Sequence, residues 1–389
     1  GAGVVLGGAI PDLIKLAERL DAPVASNYQH NDSFPGSHPL AVGPLGYNGS
    51  KAAMELIRQA DVVLALGTRL NPFSTLPGYG IDYWPKEAKI IQVDINADRI
   101  GLTKKVTVGI QGDAGKVARA ILAQLSDTAG EDGRAERKAL IAQTKSRWAQ
   151  ELSSLDHEDD DPGTEWNAEA RQRDSDLMSP RQAWRAIMQA VPSDAIVSSD
   201  IGNNCAIGNA YPSFEGGRKY LAPGLFGPCG YGFPAILGAK IGNPDTPVIG
   251  FAGDGAFGIS MNEMVSVGRK GWPAITMVIF RNYQWGAEKR NTTLWYANNF
   301  VGTELDRDTT YAGIAKACGV NGVQVKSQEE LTRALHEAVE RQMTQGETTF
   351  IEVLLNQELG EPFRRDAMKK PVVVAGIDPA DMRPQKGAA

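Results

Sequence analysis

The chain has 389 residues, 42% of them hydrophobic and 22% charged, with a formal net charge of −6. That length allows two or three domains with a substantial core, and the mild acidity, with no Lys/Arg-rich run, excludes nucleic acid as the main partner. No apolar stretch approaches the roughly 18 residues of a membrane-spanning helix, and no signal peptide is visible. Three cysteines, Cys205, Cys229 and Cys318, share no close spacing, which suits a reducing compartment such as the cytoplasm better than a disulfide framework or a zinc site. The four histidines, His30, His38, His157 and His336, stand beside no nucleophile motif. Any chemistry is therefore expected to belong to a cofactor.

In chain order, "GAGVVLGGAIPDL" reads as a glycine-rich turn leading to a helix with Pro11 near its first position. Such a turn in an α/β protein normally follows a strand, so the chain is expected to begin inside its first domain, one strand short. From residue 10 to about 125 the patterns alternate. "IPDLIKLAERL" carries a helical apolar stripe at Leu13, Leu16, Ala17 and Leu20. "APVASN" reads as a strand, "SKAAMELIRQA" as a helix capped by Ser50, "DVVLALGTRL" and "AKIIQVDIN" as strands, and "AGKVARAILAQL" as a helix. An α/β layer on one parallel sheet is expected.

Residues 126–178 hold one expected helix at about 133–153 and an acidic run, Asp156 to Asp161. Those carboxylates could be a cation site, but nothing orders them as ligands, and a solvated linker is the better reading. A second α/β unit runs from 179 to about 360. It opens with Ser179 as cap and Pro180 in the first turn of "SPRQAWRAIMQAV". Strand "AIVSSD", helix "GYGFPAILGAKIG", strand "VIGFAGD", one helix through "FGISMNEMVSVGRK", strand "AITMVIFRN", helices "YAGIAKACG" and "SQEELTRALHEAVERQ", and strand "TFIEVLLN" follow. The tail, 361–389, reads as extended. The expected architecture is two doubly wound parallel-sheet α/β domains, 1–125 and 179–360, joined by 126–178.

One strand end concentrates the chemistry. Val248 to Ala252 runs straight into Asp254, held between Gly253 and Gly255. A carboxylate there costs desolvation energy unless a helix N-terminus, a cation or a ligand compensates it. Open α/β sheets place ligands at the C-terminal ends of their strands. Gly255 and Ala256 are small and begin a helix, so their N–H groups can approach an anion. The next strand ends at Arg281-Asn282. If the two strands are parallel neighbours, Asp254 and Asn282 reach the same edge. With a main-chain carbonyl from the turn "NYQWG" they would form an oxygen-only half-shell suited to Mg2+.

Gly-Asp-Gly, 25 residues (256–280) and an asparagine closing the next strand together resemble the fingerprint of the thiamine diphosphate enzymes. That resemblance implies Asp254, Asn282 and the main-chain oxygen of Gln284 as metal ligands. The first asparagine of the family's Asn-Asn pair is Arg281 here. Upstream, "SSDIGNNCAIGNAY" resembles the diphosphate-gripping turn of the acetolactate-synthase-like branch, which implies a cofactor role for Ile201, Gly202, Asn203 and Asn204. Asn203 and Asn204 stand where Gln-His is common in that branch. "GLFGPCGYGFPAILGA" resembles the segment whose apolar residue wedges between the cofactor rings. Gly227 and Cys229 fall there, Cys229 where acetolactate synthases carry Met. Either the wedge is reduced or Phe226 helps fill it; a plain buried cysteine is the alternative. Gly255, Ala256, Gly286 and Ala287 complete the implied cofactor contacts.

Downstream, "FRNYQWGAEKRNTTLWYANNFVGTELD" and the tail "EPFRRDAMKKPVVVAG" are similar to one group of that branch, the sulfoacetaldehyde acetyltransferases. The resemblance implies thiamine diphosphate and Mg2+ as cofactors, and sulfoacetaldehyde and phosphate as substrates, giving acetyl phosphate and sulfite. Both substrates are anions, so Lys289 and Arg290 become candidate substrate contacts, with Arg281 a further one; surface charge on a helix is the alternative for Glu288, Lys289 and Arg290. The resemblance also implies a homodimer or homotetramer with the site between two subunits. The activating glutamate would lie on a pyrimidine-binding domain N-terminal to these residues, and neither Glu263 nor Glu288 is placed to replace it. Little or no turnover by this chain alone is therefore expected. The rivals are an acetolactate synthase or decarboxylase, and, from another class, a nicotinamide-dependent oxidoreductase or nucleotide-binding module using "GAGVVLGG". Flavin binding by the first domain stays open.

Overall fold

A computed structural model describes residues 1–46, 48–155, 168–224, 226–269, 271–295 and 299–359. The acidic run Asp156 to Asp161, Tyr296 and the tail from 361 lie outside them. The chain divides into two compact units, Gly1–Leu155 with Pro212–Tyr220, and the described residues of 156–211 and 221–359. Among the described residues no helix is long and apolar enough to cross a membrane.

The first unit opens with a short helix, α1 (Ala2–Leu6), where a glycine turn was expected. Glycine is required there by contact rather than by a loop: a Cβ on Gly3 would sit 2.8 Å from the Cα of Gly67. Helix α2 (Ile10–Leu20) follows with Pro11 in its first turn. The expected single sheet is two by hydrogen bonding. Strand β1 (Val24–Asn27) pairs in parallel with β2 (Ala41–Leu45), and after α3 (Lys51–Ile57) the strands β3 (Val62–Leu66), β4 (Lys89–Asp94) and β5 (Val108–Gln111) form a second parallel sheet. Strands β2 and β5 escaped the sequence pattern because β2 contains Gly43 and Pro44, and β5 is short with no fully buried residue. Ser50 caps α3 by accepting the Ala53 N–H at 3.3 Å, and Asp113 caps α4 (Ala114–Gln124) by accepting that of Lys116 at 2.9 Å. Val4, Leu16, Leu66, Val93 and Ala118 form one core. Val42, Met54, Tyr83 and Ile141 of α5 (Arg134–Leu155) form another, and the Trp148 ring of α5 lies 5.3 Å from that of Tyr79.

The second unit contains α6 (Ala168–Arg173) and then α7 (Pro180–Ala190), which starts with a full capping box between Ser179 and Gln182. Strand β6 (Ile196–Ser199), α8 (Asn203–Ile207), the two-residue β7 (Tyr220–Leu221), α9 (Gly232–Gly242) and β8 (Val248–Gly253) follow. The helix expected through 257–270 is broken into α10 (Asp254–Ser260), a tighter turn at Met261–Glu263, and α11 (Met264–Val267). Ser260 and Asn262, weak helix formers, stand at the break. Then come β9 (Thr276–Arg281), α12 (Gly286–Trp295), α13 (Tyr311–Ala317), β10 (Asn321–Val325), α14 (Gln328–Glu340) and β11 (Thr349–Leu354). Strand β10 was not expected because it opens on Asn-Gly, a turn signal.

The sheet order is β10-β11-β9-β8-β6-β7, and the five longer strands pair in parallel. Both faces are covered, which explains why β8 and β9 are apolar runs rather than alternating patterns. Trp184 of α7 packs its ring 4.9 Å from Phe251 and 5.3 Å from Phe280. A second cluster gathers Phe233, Phe257, Met264, Tyr311 and Phe350. At the N-terminal ends of the two central strands the side chain of Gln342 accepts the Val248 N–H at 2.8 Å. It donates to the Val248 carbonyl at 2.9 Å and to Thr276 Oγ1 at 3.0 Å.

Candidate active site

Three neighbouring strands deliver polar residues to one edge. The β8–β9 register ends with Gly253 opposite Phe280, so Asp254 stands level with Arg281. Asp254 is 1% exposed. Its Oδ1 accepts the Gly255 N–H at 2.9 Å, while Oδ2 accepts the Tyr283 N–H at 2.7 Å and Nη1 of Arg281 at 3.3 Å. Burial pushes its carboxyl up to about 6, against the opposing pull of Arg281 and the two N–H groups. The protein alone thus leaves this carboxylate short of compensating charge, and a bound cation would supply it.

Arg281 is buried, and both of its terminal nitrogens are engaged. Besides Asp254 it donates to the carbonyls of Asp306 and Thr309, the latter at 3.1 Å, and its Nε lies 3.6 Å from Glu352. Glu352 is fixed in turn by Thr310 Oγ1 at 2.8 Å and the Ala312 N–H at 3.2 Å. Arg281 therefore organises the turn after β9, its charge spent on Asp254, Glu352 and two carbonyls.

The turn after β9 is held as a small antiparallel clasp. Leu305 N–H donates to the Tyr283 carbonyl at 2.9 Å and Trp285 N–H to the Thr303 carbonyl at 2.8 Å. The Asn282 side chain donates to Oδ1 of Asn204 at 3.3 Å, joining the turn to α8. Gln357, buried, donates to the Asn282 carbonyl at 3.2 Å and to Glu304 at 3.1 Å, and its own carbonyl accepts from Gln284 at 3.1 Å. A Cβ on Gly255 would meet the Trp285 ring at 2.9 Å, and one on Gly286 would meet Cβ of Asn203 at 3.1 Å. Only glycine lets these turns close on each other.

At the tip of β6 a second buried aspartate, Asp200, was missed from sequence. It accepts N–H groups from Ile201 at 2.7 Å, Gly230 at 3.1 Å and Gly232 at 2.7 Å, and burial raises its pKa against those bonds. Asp200 thereby ties the 201–204 turn to the segment carrying Gly227 and Cys229. Gly202 adopts φ 137°, with no atom within 4 Å of where a Cβ would stand, so its backbone faces open space. Asn204 accepts the indole N–H of Trp184 on its carbonyl at 2.8 Å, and Asn203 donates to the carbonyl of Leu359. Cys229 is half-buried, and burial, then Asp200 and Glu288, push its thiol up, away from thiolate chemistry. Phe226 is 93% exposed and does not fill the wedge position beside it.

Helix α12 begins at Gly286 and Ala287, whose first-turn N–H groups have no intrahelical acceptor. One turn on, Lys289 and Arg290 are both buried. Lys289 pairs with Glu304 and lies 5.3 Å from the Phe300 ring centre.

These residues fit a metal-bound diphosphate. Among the described residues, the side-chain oxygens of Asn203 and Gln284 are buried with no hydrogen-bond partner, the state of an acceptor awaiting a cation, a bound water or a donor. The glycine contacts above keep side chains out of the same edge. Residues 200–353 match the family model described as thiamine pyrophosphate enzyme, C-terminal TPP binding domain, and residues 1–121 match the thiamine pyrophosphate enzyme central domain.

The chain belongs to the thiamine pyrophosphate enzymes.

Within the thiamine pyrophosphate enzymes it is 75% identical over 386 residues to a probable sulfoacetaldehyde acetyltransferase of Rhizobium meliloti (strain 1021), covering 99% of this chain and 65% of that protein. It is 74% identical to the sulfoacetaldehyde acetyltransferase of Roseovarius nubinhibens, covering 99% of this chain and 64% of that protein. A probable acetolactate synthase large subunit of Methanocaldococcus jannaschii is 29% identical over 345 residues, 87% of this chain and 54% of that protein. The chain thus spans just under two thirds of the length of the curated relatives at 74–75% identity. Membership of the thiamine pyrophosphate enzymes removes the nicotinamide rival, whose proposed glycine loop is helix α1.

Proposed function

We propose that the parent protein is a sulfoacetaldehyde acetyltransferase, and that this chain supplies the central domain and the diphosphate- and Mg2+-binding domain. The observation that carries the reading is identity of 74–75% over 99% of the chain to proteins of that name. The reaction takes sulfoacetaldehyde and phosphate to acetyl phosphate and sulfite. When bound, thiamine pyrophosphate supplies a carbanion-type nucleophile and an electron sink, which lets sulfite leave with the carbon–sulfur electron pair.

The residues of this chain bind and orient. Asp254, Asn282 and the main-chain carbonyl of Gln284 would hold Mg2+, with the remaining positions left to water and diphosphate oxygens. Ile201 to Asn204, Gly255, Ala256, Gly286 and Ala287 would present N–H and amide groups to the diphosphate. Gly227 and Cys229 would support the bend of the cofactor, the raised thiol pKa keeping Cys229 neutral. Arg290 and Lys289 would contribute positive charge toward the sulfonate or phosphate, where low dielectric strengthens it, and Lys289 would share its charge with Glu304. A homodimer or homotetramer, with a separate domain providing the activating glutamate, completes the proposed assembly.

The test is an assay of the parent protein with thiamine pyrophosphate and Mg2+, following sulfite and acetyl phosphate together. Equal amounts of both from sulfoacetaldehyde and phosphate are expected. Acetolactate from pyruvate, with no sulfite from sulfoacetaldehyde, would transfer the assignment to the acetolactate synthases.

A further inference from the structure

Tyr283 stands between the two proposed metal-ligating positions, Asn282 and Gln284, and has φ 61°. A bulky side chain in the left-handed region is disfavoured, and glycine would occupy it without penalty. Such a residue persists only where its surroundings over-determine it, and here they do. The Tyr283 N–H is bonded to Asp254 and its carbonyl to the Leu305 N–H. Its ring carries two guanidinium contacts, with the Arg281 carbon 4.4 Å and the Arg307 carbon 4.2 Å from the ring centre, both inside the reach of a cation–π contact.

Both arginines are themselves anchored. Arg281 is held by Asp254, Glu352 and two carbonyls. Arg307 makes a two-pronged contact with the buried Asp174 at 3.3 Å on each arm, and Arg173 grips the same carboxylate at 2.8 and 2.9 Å. Turning the ring away would give up both cation–π contacts, and relaxing the backbone to negative φ would disturb the bonds its N–H and carbonyl make to Asp254 and Leu305.

We propose that Tyr283 is a positioning residue: the Arg281–Tyr283–Arg307 stack locks the left-handed turn that aims Asn282 and the Gln284 carbonyl at the metal. The inference rests on the thiamine pyrophosphate and Mg2+ reading and adds to it how the metal half-shell is kept formed. It also gives Arg281, which replaces the family's first asparagine, a function on this edge. It grips the aspartate with one arm and lies against the tyrosine ring.

The test uses Mn2+ as the probe in the parent protein, titrated in the presence of thiamine pyrophosphate and read from the free-Mn2+ electron paramagnetic resonance signal. Tyr283→Phe is expected to keep the affinity within about twofold, because the ring remains. Tyr283→Ala is expected to weaken it about tenfold or more, the usual scale for losing support behind a metal ligand, with far-UV circular dichroism unchanged and with excess Mn2+ restoring cofactor binding. Arg307→Met, at the partly exposed arginine, guards against a Tyr283→Ala protein that fails to fold, and is expected to weaken Mn2+ severalfold. Wild-type affinity in both Tyr283→Ala and Arg307→Met, or equal losses in the Phe and Ala variants, overturns the inference. A wild-type parent protein that takes up no Mn2+ with thiamine pyrophosphate overturns the metal reading itself and the inference with it, so the two failures are distinguishable.

Discussion

Oδ2 of Asp200 accepts the N–H of Gly232 at 2.7 Å, which fixes the first turn of α9 to the tip of β6. With Ile201 and Gly230 on Oδ1, one carboxylate satisfies three backbone donors from two segments that each carry proposed cofactor contacts.

Asp200→Ala is expected to cost about 3 kcal/mol, because three buried donors lose a charged acceptor together. Asp200→Asn should cost less, since it keeps one acceptor oxygen. Urea unfolding and a thiamine pyrophosphate titration check this. The Ala variant should also bind cofactor more weakly, and a variant as stable as the parent would show that water replaces the carboxylate without loss.

Gly255→Ala places a methyl about 3 Å from the Trp285 ring. Overpacking of that kind costs about 1–3 kcal/mol, and here the strain falls on the turn proposed to hold Mg2+. A lower melting temperature and weaker Mg2+ binding are expected, with both partly recovered by adding Trp285→Val. If the double variant is no better than the single one, the ring contact is not the cause.

His30 makes the first unit sensitive to acid. Burial above all, with Arg69 nearby, holds its pKa at about 4 against an ordinary 6.5. Between those values the unfolded chain binds a proton that the folded one refuses, so stability falls as pH drops from 6.5 to 4 and levels off below. The full effect is about 3 kcal/mol. Denaturation midpoints at pH 7, 5.5 and 4 measure it, and His30→Gln should flatten that part of the profile.

Gln357→Leu removes two side-chain bonds, to the Asn282 carbonyl and to the exposed Glu304, and leaves the buried Asn282 carbonyl without that donor, at about 1–3 kcal/mol. Half-saturation by Mg2+ should rise several-fold while the secondary structure is kept. Isothermal titration on the folded variant reads it.

Much of this was legible in the sequence. A buried strand ending in Gly-Asp-Gly signals itself through composition, and the parallel neighbour ending in Asn282 follows from the strand pattern. Ser50 and Ser179 announce their helices for the same local reason. What stayed hidden depends on contacts distant in sequence. Asp200 was in plain view at a strand tip, and the logic applied to Asp254 could have found it. Gln357 had no local signal, because its role exists only once the chain after β11 lies across the turn after β9. Arg281 invited a substrate role as a cation beside an asparagine, and only its burial between Asp254 and Glu352 shows where that charge is used. Tyr283 could not be read as strained, since a sequence does not display φ.

The amide of Gln342 at the far end of β8 and β9 has a mechanical consequence. It bridges the first residues of both strands, while Asp254 and the Tyr283 N–H bridge the chain just beyond their last, so the pair is pinned at both ends like a ladder with its top and bottom rungs nailed. Sliding one strand by a residue would shift Asn282 by about 3.3 Å, far beyond the few tenths of an ångström that octahedral Mg2+ tolerates. Changes in metal preference during divergence of this chain would therefore have to arise in the turn, because the strands beneath it have no slack to give.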